Sequence, residues 1–161
     1  MIKRNQKGFT LIEFLIYAGI VVFVMTALTL TAVNILHARV RITSIEEVAQ
    51  NGRFGIEKMT HTIRNAESIE RVDGDSLVLE VSSSRDNPTE FTLSDGNLVV
   101  IKGGREPGSL TTGKVNVSEL VFTERSDQAV RIEMTVDFHN PQNRQEYEFR
   151  RTFRTTENIR K

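Results

Sequence analysis

The 161-residue chain contains no cysteine. Disulfides and thiolate metal sites are therefore excluded, and cysteine usage says nothing about the redox compartment. Proline and glycine, at 3 and 10 residues, are too scarce for a disordered or fibrous chain. No proline lies between residues 9 and 87. Net charge is missing too, since 21 basic side chains balance 21 acidic ones. The balance is uneven: residues 1–8 hold Lys3, Arg4 and Lys7 and no acid, so the remainder has 18 basic against 21 acidic residues, a net −3. Such a body is a poor surface for indiscriminate phosphate binding. One domain with a modest core is expected at this length.

Catalytic signatures are also lacking. No Walker loop, G-x-S-x-G or H-E-x-x-H occurs. His37, His61 and His139 have no ligand spacing among them and read as surface residues. The "GGREPG" run, 103–108, has the backbone freedom to bind an anion, but no helix follows it, and it reads as a hairpin connection. The expectation is a protein without enzymatic activity, metal or cofactor.

One long hydrophobic run is present. Phe14 to Leu36 are 23 consecutive residues without a formal charge. At about 1.5 Å per residue they match the roughly 30 Å hydrocarbon core of a bilayer. The run is too long for a secretory signal peptide, and no A-x-A-like site follows Leu36. A buried helix of a soluble protein is the other reading, but the rest of the chain offers little apolar surface to wrap it. Lys3, Arg4 and Lys7 favour a cytoplasmic N-terminus, against a weaker pull from Arg39 and Arg41 beyond the run. Glu13 stands where the apolar run begins, and a carboxylate at mid-bilayer costs about 2.5–3.5 kcal/mol on insertion scales. An acid hydrated among lipid headgroups is the plain explanation.

The stretch "KGFTLIEF", Lys7 to Phe14, offers a sharper one. It resembles the cleavage and methylation motif of type IV pilins and pseudopilins, with a basic leader, glycine, phenylalanine, glutamate and a long apolar run in order. The resemblance implies cleavage between Gly8 and Phe9 by prepilin peptidase, which also N-methylates Phe9. It implies that Glu13 serves assembly by meeting the terminal amine of a neighbouring subunit. The physics is compatible. Gly8 removes a side chain where a peptidase approaches the backbone. Cleavage sheds the three basic residues and creates a terminal amine, a group that ordinarily titrates at roughly 7.7–8.0. Amine and acid then offset each other's cost in a low-dielectric setting.

Beyond the run, Ile35, Ala38, Ile42, Ile45, Ala49, Gly52, Ile56, Met59, Ile63 and Ala66 recur at spacings of three and four. This predicts that the helix continues from about Thr10 to Ala66, with that stripe packed on its own domain rather than in a coiled coil. After Glu67 the period becomes two. Strands are expected at 76–82, 89–94, 97–102, 117–124, 129–138 and 146–155, with Asp95-Gly96 as the clearest hairpin turn. The fold class is α+β: a long N-terminal helix, half transmembrane and half outside, packed on an antiparallel sheet. The expected divisions are a leader at 1–8, an assembly helix at 9–36, its extramembrane half at 37–67 and a β-rich head at 68–161.

The order of helix, hairpins and basic last strand is similar to minor pilins and minor pseudopilins. Many major pilins carry a proline midway along the apolar helix and two cysteines near the C-terminus; both are absent here. The resemblance implies a minor subunit of a type IV pilus-like or type II secretion-like filament. Its implied partners are prepilin peptidase, other subunits, an inner-membrane assembly platform and, before assembly, lipid. The expected location is the cytoplasmic membrane, single-pass, then a periplasmic or extracellular filament. Arg150, Arg151 and Arg154 form a candidate binding patch on the last strand, or a charged edge that resists aggregation. The alternative function is a membrane-anchored adhesive or DNA-binding domain that never polymerises, although no motif supports a nucleic-acid partner.

Overall fold

The computed structural model describes residues 8, 10–140 and 148–160. The chain divides into two compact units, one ending at Arg39 and one beginning at Val40. Helix α1 (Leu11–Arg64, 54 residues) contributes to both.

In the first unit α1 starts at a cap. Glu13 N–H donates to Thr10 Oγ1 at 3.3 Å, and Phe14 N–H donates to the Thr10 carbonyl at 3.1 Å. Thr10-x-x-Glu13 is thus one half of a capping box, with threonine receiving an N–H that the helix itself leaves unpaired. Further along, the Thr26, Thr29 and Thr31 hydroxyls donate to the carbonyls of Val22, Met25 and Ala27 at 2.8–2.9 Å. These three hydroxyls of an otherwise largely apolar segment are therefore satisfied within the helix.

The second unit sets α1 residues against two antiparallel sheets. Strands β1 (Ala66–Asp73), β2 (Ser76–Val81), β3 (Thr89–Ser94), β4 (Asn97–Lys102) and β5 (Gly108–Ser109) form a meander in that order. Strands β6 (Val115–Ser126), β7 (Ala129–Phe138) and β8 (Arg150–Asn158) form the second sheet. The α+β class follows the sequence expectation, but the strands form two sheets where one was expected. After β5 the chain does not extend the first ladder. Instead β6 crosses its hairpin ends: Val117 N–H donates to the Gly96 carbonyl at 2.7 Å, and Phe122 N–H to the Gly74 carbonyl at 2.6 Å. Alternation fixes which residues face inward, whereas pairing depends on contacts far apart in sequence. Strand β1 also escaped the pattern, because register shifts at Ala66/Ser68 and Ile69/Arg71 break its period of two.

The Asp95-Gly96 turn is as expected, joining Ser94 and Asn97 with both central residues at positive φ, 49° and 73°. Glycine is required at 96 twice over, since a Cβ there would also overlap the Asn116 carboxamide.

One core joins all layers: Val48, Met59 and Ile63 from α1, Leu77 and Leu79 from β2, Phe91, Leu98, and alternate residues of β6 and β7. The helix face in contact is rotated slightly from the predicted stripe. Ser44, Val48, Asn51, Gly52, Gly55, Met59 and Ile63 are buried, while Ile42 is exposed. The reason is local. Ser44 Oγ donates to the Val40 carbonyl and Asn51 Nδ2 to the Glu47 carbonyl, so two polar side chains pair within the helix and can be buried. Gly55 lets Leu98 and Met134 approach the helix backbone, and Gly52 receives the Phe153 ring.

Candidate processing and assembly site

Gly8 is exposed, and no atom stands within 4 Å of where its Cβ would be. Phe9, Lys3, Arg4 and Lys7, the other residues assigned to processing, lie outside the described residues. Glu13 occupies the first turn of α1, where the unpaired N–H groups and the helix dipole favour an acid. It is half-buried, and the Tyr17 hydroxyl donates to its Oε1 at 3.3 Å. Both Thr10 and Tyr17 escaped the sequence reading. The signals were there: Thr-x-x-Glu for the cap, and a donor four residues after the acid.

The helix downstream of Glu13 has the surface of something made for a non-aqueous neighbour. Leu11, Phe14, Phe23, Leu28 and Leu36 are all exposed, Phe23 by 75%. The helix is long and apolar enough to cross a membrane. Contiguous exposure of this kind is unfavourable in water at about 25 cal/mol per Å² of apolar surface, so lipid or other helices must cover it.

The three C-terminal arginines of the candidate patch each contact a side chain of their own sheet. Arg150 lies opposite Asp137 in the β7–β8 register, its Nε 2.5 Å from Oδ1, and Arg154 lies opposite Glu133 at 3.0 Å. Arg131 also reaches Glu133, at 2.6 Å. Arg151 stacks over the Phe153 ring at 5.2 Å. The hydrogen bond to Asp137 raises the Arg150 pKa above its ordinary value. The hydrogen bond from Arg154 lowers that of Glu133, outweighing the opposing effect of desolvation, with further help from the charge of Arg131. Two of the three arginines are therefore engaged with acids of their own sheet.

A third ion-pair cluster ties loops together. Asp86 accepts from Lys102 Nζ at 3.2 Å and from Arg105, which also donates to the Arg85 carbonyl. Lys102, more than Arg105, holds the Asp86 carboxyl below its usual range. The "GGREPG" loop connects the antiparallel pair β4 and β5 and is anchored by these contacts. Among the described residues no group of three or more His, Asp or Glu side chains is placed to hold a metal ion.

No curated protein and no solved structure matches the chain. Residues 3–29 do match a family model, that of the prokaryotic N-terminal methylation motif, and so span Gly8, Phe9, Glu13 and the start of the exposed apolar helix. The chain thus carries, at its N-terminal end, the methylation motif that is the signature of type IV pilins and pseudopilins.

Proposed function

We propose that this chain is a minor subunit of a type IV pilus-like or type II secretion-like filament. Prepilin peptidase cuts it between Gly8 and Phe9 and methylates Phe9. The mature helix then leaves the cytoplasmic membrane and packs among the helices of other subunits, with Glu13 meeting a neighbour's terminal amine. The unit from Val40 onward selects neighbours, and the protein catalyses no reaction. The observation that carries this reading is the coincidence of the matched motif with a helix whose apolar side chains are exposed from Leu11 to Leu36. A chain that crosses a membrane only to anchor a domain needs the apolar run, but has no use for a glycine–phenylalanine junction followed by an acid.

Expression with a prepilin peptidase provides the test. Intact and N-terminal mass spectrometry should find a chain beginning at methylated Phe9, and sheared filaments should contain it. An N-terminus left at Met1, or a Glu13→Ala chain that enters filaments as well as wild type, counts against the reading.

A further inference from the structure

Tyr17 follows Glu13 by four residues, one turn further along α1. Helical side chains lean toward the N-terminus, so the residue at i+4 reaches back over the one at i. The Tyr17 hydroxyl accordingly lies 3.3 Å from Glu13 Oε1 and donates to it. On either side of Tyr17 the sequence is apolar: Phe14, Leu15 and Ile16 before it, Ala18, Gly19 and Ile20 after it. A phenol at this depth loses water, and a hydroxyl without a partner is penalised there, as is an acid without one. Each group lowers the penalty of the other. An ionised carboxylate has about four acceptor positions on its two oxygens, so one phenol leaves acceptor positions open.

We propose that Tyr17 is the positioning residue for Glu13: its phenol fixes Oε1 against the subunit's own helix and presents Oε2 to a cationic group of a neighbouring chain. The pair limits the carboxylate to one rotamer before any neighbour arrives, which reduces the ordering cost at the moment of association. The assembly half of this proposal rests on the filament reading above; the Tyr17–Glu13 contact does not.

Two measurements on the full chain separate the halves. The chain has two tyrosines, so a Tyr147→Phe background leaves Tyr17 alone. In phosphatidylcholine vesicles, the tyrosine doublet in ultraviolet resonance Raman spectra should report a strong hydrogen-bond donor, and Glu13→Leu should shift the doublet ratio toward a weak one. An unchanged ratio overturns the proposal, because a phenol held only by headgroup water gives the same spectrum in both chains. In cells that assemble the filament, Tyr17→Phe should be cleaved and methylated normally but recovered in filaments about tenfold less, the scale of one lost hydrogen bond to a charged group. In a Glu13→Gln background the same substitution should change recovery little. Equal recovery of Tyr17→Phe and wild type, or an equal loss in both backgrounds, overturns the positioning role. Should wild type itself remain unprocessed, the filament reading fails and the vesicle spectrum alone decides the pair.

Discussion

The carboxamide of Asn51, in α1, joins two parts of the second unit that are 61 residues apart in sequence. Its Oδ1 accepts the Thr112 N–H at 2.9 Å, while its Nδ2 donates to the Glu47 carbonyl at 2.9 Å. The neighbouring Thr111 hydroxyl in turn receives the Leu98 N–H at 3.1 Å, so the segment before β6 is pinned to both helix and sheet. Asn51→Leu keeps the volume and removes both bonds, leaving Thr112 N–H without its acceptor. Denaturant unfolding of the full chain in detergent should show a loss of about 1–3 kcal/mol. The Thr112 amide should exchange its hydrogen faster, while amides of β7 keep their protection relative to global unfolding.

Gly52 owes its place to Phe153. A Cβ at that position would fall within the Phe153 ring, so any larger residue must displace the ring and the Arg151 guanidinium stacked on it. Alanine gains about 1 kcal/mol of helix propensity against an overpacking cost of about 1–3 kcal/mol. Valine gains less and clashes more. The expected order of melting temperature is wild type, then Gly52→Ala, then Gly52→Val. A Gly52→Val chain as stable as wild type would show that the ring has room to move.

Acid should weaken the β7–β8 pair. Glu133 titrates in the folded chain below the ordinary glutamate value of 4.5, so its contribution is complete above that value and is lost as pH falls through the lower folded value. Asp86 behaves in the same way from the ordinary aspartate value of 3.8. Stability should therefore decline as pH falls below these ordinary values, and the decline should be shallower in Glu133→Gln. Both acids are solvent-facing, so added salt should shrink the difference between variant and wild type. A variant with an acid profile parallel to wild type would remove Glu133 as a contributor.

The cap at Thr10 should matter to the first turn of α1. Thr10→Ala removes the acceptor for Glu13 N–H and should cost about 1 kcal/mol of local helix stability, which Thr10→Ser largely restores. In micelles, amide exchange at Ile12 and Glu13 should quicken in the alanine variant alone. Equal exchange in all three chains would mean that another group caps the helix.

The sequence carries much of this architecture because the relevant signals are local. A period of two located β3, β4 and β7 to the residue, and Asp95-Gly96 announced its turn through backbone chemistry that few other dipeptides share. The helix outlasted its apolar run because spacings of three and four continue through Ile63. What escaped depended on partners distant in sequence or on polar pairing. Ser44 and Asn51 look like surface residues until their bonds to Val40, Glu47 and Thr112 are known. The pairing of Arg150 with Asp137 and of Arg154 with Glu133 depends on the β7–β8 register and is not visible in the run of arginines itself. Tyr17 looked like one more aromatic in a hydrophobic run.

Hairpin tips are ordinarily where a protein tolerates extra residues, because nothing depends on them. Here the tips at Gly74 and Gly96 serve as acceptors for the outward N–H groups of β6. Lengthening either turn would carry its carbonyl away and leave Phe122 or Val117 with an unanswered donor. An epitope tag placed at 74–75 or 95–96 should therefore disturb the three-stranded sheet, although neither insertion would lie within it.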